Sequence, residues 1–242
     1  MRAARALLAA GGLLLFGGCG PNGCEPLPWG PPQTDAPAPA PAPPTPGGDA
    51  PPAPAPAPGG PVLVDLRDVD PSIRVDMRYA SRSNFLRETL YPANRCLLRP
   101  ATAERLRRAQ EHLAAAGLGL QVWDCYRPLS IQKRMWEYMP DPRYVADPKE
   151  GSKHNRGAAV DVTLVRLRGE PMDMGTDHDD FSERAARDFK ELPFEAVRNR
   201  KVLENALAIQ GFVPLPSEWW HFDDPDWRQY ELLDEPLDPA RR

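Results

Sequence analysis

His154 and Asp161 stand seven positions apart in the stretch Ser152-Lys153-His154-Asn155-Arg156-Gly157-Ala158-Ala159-Val160-Asp161, and near the C-terminus His221 follows Glu218 by three in Glu218-Trp219-Trp220-His221-Phe222-Asp223. Imidazole and carboxylate are the donors of a catalytic zinc site, which takes three protein ligands and keeps a fourth position open. His154, Asp161 and His221 can supply the three, for one Zn2+ per chain. Two neutral imidazoles and one carboxylate leave a net positive centre, which acidifies a water and polarises a carbonyl. Glu218, just before the third ligand, is placed to take that water's proton and pass it to a leaving amine. A histidine by itself is more often an ordinary core or surface residue, so the metal reading rests on the four residues together.

These residues need a scaffold to meet. Ala159 to Leu167 alternates, with Val160, Val162 and Leu164 on one face and Ala159, Asp161 and Thr163 on the other, the period of a strand. Asp161 then emerges among small neighbours, and a carboxylate there must be paired or bound, because burying it alone is costly. Trp219 to Phe222 has the aromatic content of a second strand, with the two tryptophans packing beside the site. Residues three apart in a flat strand face opposite ways. Glu218 and His221 therefore share a metal only if the strand starts after Glu218 or bulges there, and the Pro216-Ser217 turn favours the first. His112 lies in a charged helical stretch and is expected at the surface. His178, in the acidic run Met174 to Phe181, is either a solvated loop residue or part of the pocket wall.

The rest of the chain reads as follows. Val62 to Leu66 and Ile73 to Tyr79 alternate and are expected to pair, or at least to share a sheet. Periodicity disappears from Ala80 to Pro100, where Asn84, Phe85, Tyr91, Pro92 and Asn94 suggest an ordered loop bordering a site, its aromatics serving equally as core. Pro100 opens a helix to Ala116, with Leu106, Ala109 and Leu113 inward and Gly117 as its stop. Leu118 to Tyr126 is a buried strand that delivers Asp124-Cys125-Tyr126-Arg127-Pro128 to its end, and Leu129 to Met139 is a short helix with Ile131, Met135 and Trp136 inward. After a turn at Gly169-Glu170, the spacing predicts a helix from Phe194 to Gln210, with Val197, Val202, Leu203, Ala206 and Ile209 near helical spacing and Gly211 as its cap. Phe212-Val213-Pro214 leads away, and an acidic tail follows Phe222.

The N-terminus is of another kind. Arg2 and Arg5 precede an apolar run from Ala6 to Phe16, so residues 1–18 read as a secretory signal. Leu15-Phe16-Gly17-Gly18-Cys19 resembles the lipobox of bacterial lipoproteins, which would make Cys19 a lipidated residue; the alternative is an ordinary signal cleaved among the small residues. Between Pro26 and Pro61 lie 16 of the 31 prolines, so residues 19–61 cannot build a core and are expected to form a tether. Polyproline II at about 3.1 Å per residue would carry it on the order of 100 Å. Residues 62–242 suit one folded domain. A net charge of -4 without a basic cluster argues against nucleic acid as a partner. The expected place is the cell envelope, periplasmic or surface-exposed, with the membrane reached through the lipid anchor. In such an oxidising compartment Cys96 and Cys125, flanking a predicted helix and strand, could be joined with a gain of roughly 3 kcal/mol, or could remain two buried thiols; Cys24 has no evident partner.

SKHNRGAAVD followed by EWWHFD resembles the signature of the D-alanyl-D-alanine dipeptidases, the VanX-type branch of the zinc peptidases of family M15, which also includes D,D-carboxypeptidases. The resemblance runs from about Val64 to Tyr230, through RYASRSNF, RCLLRP, DCYRP and the Met-Gly-Thr segment. It implies an α+β fold, a small antiparallel sheet flanked by helices with the zinc site on the sheet, as in the D-Ala-D-Ala peptidase/Hedgehog-like fold. It makes His154, Asp161 and His221 the zinc ligands, Glu218 the base and Arg127 the cation that stabilises the oxyanion. Ser152 and Asp179 match positions that hold a free ammonium, with Asp177 and Asp180 close enough to exchange with Asp179. The implied substrate is a small D,D-dipeptide, since a carboxylate built for the ammonium penalises longer or N-blocked peptides. Two alternatives stay open: a carboxypeptidase that trims peptidoglycan stem peptides through an open groove, and a non-catalytic, zinc-containing wall-binding module. The N-terminus departs from the family and suits turnover of wall-derived dipeptide outside the cytoplasm.

Overall fold

The computed structural model describes residues 62–237. The signal-like segment, Cys19, Cys24 and the proline-rich tether lie outside the described residues, as do 238–242. In chain order the elements are β1 (Val64–Asp65), α1 (Leu66–Val69), β2 (Arg74–Val75), β3 (Leu97–Leu98), α2 (Pro100–Ala114), β4 (Leu118–Asp124), α3 (Leu129–Tyr138), β5 (Ala159–Arg166), α4 (Phe194–Ile209), β6 (Val213–Pro214) and β7 (His221–Asp223). Five strands form the main sheet in the order β2-β4-β5-β7-β6, antiparallel except for the parallel β2–β4 pair. β1 and β3 make a separate antiparallel pair. Among the described residues no helix is long and apolar enough to cross a membrane.

Register places the chemistry. Asp161 in β5 pairs with Asp124 in β4 on one side and with His221 in β7 on the other. The β4–β5 register shifts between Val122 and Asp124, a bulge that leaves Trp123 without a partner of its own. Bulges turn side chains at strand ends and recur beside active sites. β5 is buried from Ala159 to Val165 on both faces, so its small-residue face is covered by the site's own walls.

α2 follows the sequence reading closely. Pro100 occupies its first turn, where the missing N–H is no loss, and Leu106, Ala109 and Leu113 are buried. Gln110 is buried with them; its Oε1 accepts the Leu120 N–H at 2.7 Å and ties the helix to β4. His112 is exposed, as expected. In α3, Met135 is buried while Ile131 and Trp136 are partly covered, and the unforeseen Gln132 is fully buried.

Three expectations are corrected. The first two predicted strands share neither a pairing nor a sheet: Asp65 caps α1 by accepting the Arg67 N–H and turns the chain away, so β1 joins β3 and β2 joins β4. α4 buries Leu203 and Ala206 and half-buries Val202, in line with its apolar spacing, but turns the rest of that set outward. Val197 and Ile209 are exposed, and Ala196, Asn199, Arg200, Leu203, Ala206 and Leu207 face inward. Asn199 and Arg200 are drawn in because they donate to the Asp173 and Met174 carbonyls at 2.8 and 2.7 Å, the latter belonging to a buried residue whose carbonyl needs a partner. Val213-Pro214 does not lead away but closes the sheet as β6 against β7.

Cys96 and Cys125 are joined in a disulfide, pinning the approach to β3 to the end of β4.

Candidate active site

His154 begins a single 3-10 turn, His154–Arg156, that ends at Gly157 with φ 67°. Left-handed backbone suits glycine, and here a Cβ would also lie 2.5 Å from the Leu63 side chain. Asn155, fully buried, pins the turn: its Oδ1 accepts the Ser152 N–H at 2.7 Å and its Nδ2 donates to the Arg127 carbonyl at 2.8 Å. The Cys125 carbonyl lies 2.7 Å from His154 Nδ1 and can only accept, so Nδ1 carries the hydrogen and Nε2 keeps its lone pair for a ligand. Asp223 Oδ1 lies 2.8 Å from His221 Nε2, which turns Nδ1 of that ring inward.

The three donors converge. His154 Nε2, His221 Nδ1 and Asp161 Oδ1 lie 3.2, 3.3 and 3.0 Å from one another, and all three side chains are buried. Among the described residues they form a group with metal-ligand spacing, one atom from each within 4.8 Å of the rest. The electrostatics also favour a cation. Burial alone would lower the His221 pKa, yet Asp161 and Asp223 outweigh it and push the ring up to about 10. Asp161 is likewise held well below its ordinary value against burial, by His154, His178 and His221. A centre that stabilises positive charge so strongly, with two lone-pair nitrogens and one carboxylate oxygen facing each other, fits a divalent metal.

Glu218 resolves the strand-facing problem as the turn suggests. Its N–H donates to the Leu215 carbonyl, and β7 starts only at His221, so both side chains reach the same space. Glu218 Oε2 lies 3.9 Å from His221 Nδ1. Burial raises its carboxyl to about 7, with Asp161 and Asp179 adding to the shift and His221 opposing it. That is the range in which a group both takes and gives a proton near neutrality.

Arg127 follows β4 and is nearly fully buried. It donates to Asp124 Oδ2 from Nε at 3.0 Å and from Nη2 at 2.5 Å, and to Gln132 Oε1 from Nη1 at 2.8 Å. Asp124 also accepts from the Tyr91 hydroxyl at 2.6 Å, so the guanidinium is a fixed cation on the pocket wall. The aperiodic loop therefore does border the site, Tyr91 through Asp124 and Phe85 directly.

The pocket has a volume of about 240 Å³ and includes Ser152 and Asp179 among its lining residues. Ser152 Oγ accepts the His154 N–H at 3.2 Å. Asp179, with φ 55°, accepts the Tyr79 hydroxyl at 3.0 Å, and burial raises its pKa. Asp177 pairs with Arg78 at 3.2 Å and is mostly exposed, and Asp180 accepts the Ser182 N–H; neither lines this pocket. Of the three aspartates, Asp179 is the one brought to the site. His178 is enclosed beside it, its ring lifted to about 9 because Asp179 and Asp161 outweigh burial.

Tyr79, Asp124, Gln132, Asn155 and Asp223 were not singled out from the sequence. Tyr79, Asp124, Asn155 and Asp223 carried a signal, standing inside segments that bear the family resemblance, whereas Gln132 reaches the site only through the fold.

The D-ala-D-ala dipeptidase family model matches residues 61–236. Relatives named D-alanyl-D-alanine dipeptidase are similar along most of the chain. The protein of Escherichia coli K12 is 37% identical over 171 residues, 71% of this chain and 89% of that protein. That of Enterococcus faecalis V583 is 33% identical over 188 residues, covering 68% and 88%, and that of Streptomyces coelicolor is 34% identical over 174, covering 62% and 85%. With its paired motifs folded into one pocket and its sequence matched from end to end of the described domain, the chain belongs to the D-ala-D-ala dipeptidase family and is a peptidase.

Proposed function

We propose that this peptidase hydrolyses free D-Ala-D-Ala to D-alanine, with one zinc ion held by His154, Asp161 and His221. The observation that carries the reading is Glu218 Oε2 at 3.9 Å from His221 Nδ1, in a pocket that Asp179 also lines. Zinc would supply Lewis-acid polarisation of the scissile carbonyl and lower the pKa of the attacking water. Glu218 takes a proton from that water and returns it to the departing amine, which its elevated pKa suits. Arg127, locked on Asp124 and Gln132, presents positive charge to the developing oxyanion without having to reorganise. Ser152 and Asp179 hold the substrate's ammonium. An acylated amine would leave Asp179 without the ammonium it is placed to meet, so length is enforced by a penalty on the wrong substrate.

We further propose that the enzyme works outside the cytoplasm, tethered to a membrane through Cys19, in turnover of wall-derived dipeptide. The Cys96–Cys125 disulfide supports an oxidising compartment.

The test is D-alanine release by the zinc-loaded chain from free D-Ala-D-Ala, its N-acetylated form and a stem pentapeptide, with Glu218→Ala as control. Release from the free dipeptide alone, lost in the variant, is expected. Release from the blocked or longer peptides would make the enzyme a wall-trimming carboxypeptidase, and no release despite bound zinc would favour a binding module.

A further inference from the structure

Each metal-facing side chain has an outer partner on its far side. His154 Nδ1 has the Cys125 carbonyl, His221 Nε2 has Asp223, and Asp161 Oδ2 has His178 Nε2 at 3.1 Å. The first two partners come from segments that the motifs already contain. His178 comes from the loop between β5 and α4, seventeen residues beyond Asp161, and no role in the reaction described above requires it.

Its placement is specific. The side chain is 2% exposed. The rings of Tyr79, Trp123 and Trp220 surround it, with centroids at 5.9, 5.4 and 5.6 Å. They fix the imidazole plane. Oδ2 of the ionised Asp161 carboxylate can only accept, so His178 Nε2 carries the hydrogen in either charge state of the ring. Asp161 Oδ2 has no other hydrogen-bond partner among the described residues, while Oδ1 faces His221 Nδ1 at 3.0 Å and His154 Nε2 at 3.3 Å. On its other side, His178 Nδ1 lies 3.4 Å from Asp179 Oδ2, outside hydrogen-bond geometry.

We infer that His178 is a positioning residue for the metal ligand Asp161: it occupies Oδ2 so that Oδ1 alone is presented to the ion. Without that donor, Oδ2 is a buried acceptor with nothing to bind, and the carboxylate is free to rotate or to offer both oxygens. Loss of such an outer partner typically costs 10- to 100-fold in metal affinity. The inference rests on the zinc reading above.

Two variants of the full chain separate donor from bulk. His178→Gln keeps an N–H near the position of Nε2, and His178→Phe keeps the ring without a donor. Zinc affinity is measured by competition with a chromogenic chelator, and ligand geometry by the visible bands of the Co2+-loaded protein. The Phe variant is expected to bind zinc about 10- to 100-fold more weakly with shifted Co2+ bands, and the Gln variant to stay within a few-fold of the parent. If the Phe variant fails to fold by circular dichroism, His178→Asn, whose amide stops short of Asp161, takes its place with the same expectation. Parent-like affinity and bands in the donor-less variant would overturn the inference, as would a Gln variant as weak as the donor-less one. A parent chain that binds neither ion would overturn the zinc reading itself, and this inference with it.

Discussion

Asp161 and His221 are register partners across β5 and β7, and their Oδ1 and Nδ1 atoms lie 3.0 Å apart. Backbone pairing thus sets the distance between two side chains of the proposed metal site that are separated by 60 positions in sequence. Asp124, the partner of Asp161 on the other side, holds Arg127. One row across three strands aligns Asp161 and His221, the carboxylate and imidazole of the proposed metal site, with Asp124, which anchors Arg127, the proposed oxyanion cation. A rigid sheet is a better support for such a constellation than loops would be, because its hydrogen bonds fix all three positions together.

Removing the base without disturbing its shape separates chemistry from metal binding. Glu218→Gln keeps the side-chain volume, and Glu218 faces no ligand closely enough to hold it in place. Its kcat on D-Ala-D-Ala is expected to fall roughly 100- to 10,000-fold while zinc content, measured by elemental analysis, stays at one per chain. Parent-like turnover would assign the base elsewhere.

The protonation state of Glu218 gives a pH prediction with a definite sign. Burial raises its carboxyl to about 7, and a base works only when deprotonated. Activity should therefore be lost as pH falls through the acid limb of kcat/KM. A bound cation beside it favours the anion, so the limb lies at or below about 7, and a limb that rises above 7 is what a base of another kind would give. The check is a kcat/KM profile from pH 4 to 9; an acid limb well above pH 7, or activity that increases as pH falls, would contradict a buried carboxylate base.

How far the sequence carried this picture depends on what kind of force placed each residue. Asp161 was legible because Val160, Val162 and Leu164 bury one face of β5 and so force the carboxylate onto the other. The start of β7 after Glu218 was legible because proline and serine precede it. By contrast, the inward face of α4 was legible only in part: Leu203 and Ala206 follow the apolar spacing, but Asn199 and Arg200 are held there by loop carbonyls and not by hydrophobicity. The same limit hid the role of Tyr79 and left His178 undecided: their partners, Asp179 and Asp161, are chosen by where loops cross the sheet, a long-range fact that local periodicity does not encode.

Asp179 can be distinguished from its neighbours by substitution. Its φ of 55° is tolerated by asparagine, so Asp179→Asn should fold while losing the charge proposed to meet the ammonium. A lost charge-assisted hydrogen bond of about 2 kcal/mol corresponds to a rise of roughly 30-fold in KM for the free dipeptide. Asp177→Asn and Asp180→Asn, whose carboxylates face Arg78 and the Ser182 N–H, should leave KM within a few-fold of the parent. Equal effects at all three positions would mean that the acidic run acts through its overall field.

The disulfide links stability to the metal centre. Cys96 and Cys125 are separated by 29 residues, and closing a loop of that size stabilises by roughly 3 kcal/mol. The Cys125 carbonyl is also the acceptor that orients His154. Replacing both cysteines with serine should therefore lower the unfolding free energy in urea by about that amount, measured with zinc removed. It should also weaken zinc binding in the protein that remains folded, because the strand end carrying the Cys125 carbonyl loses its tie to the segment before β3. A double variant that loses stability but binds zinc as tightly as the parent would show that β4 pairing alone holds that carbonyl in place.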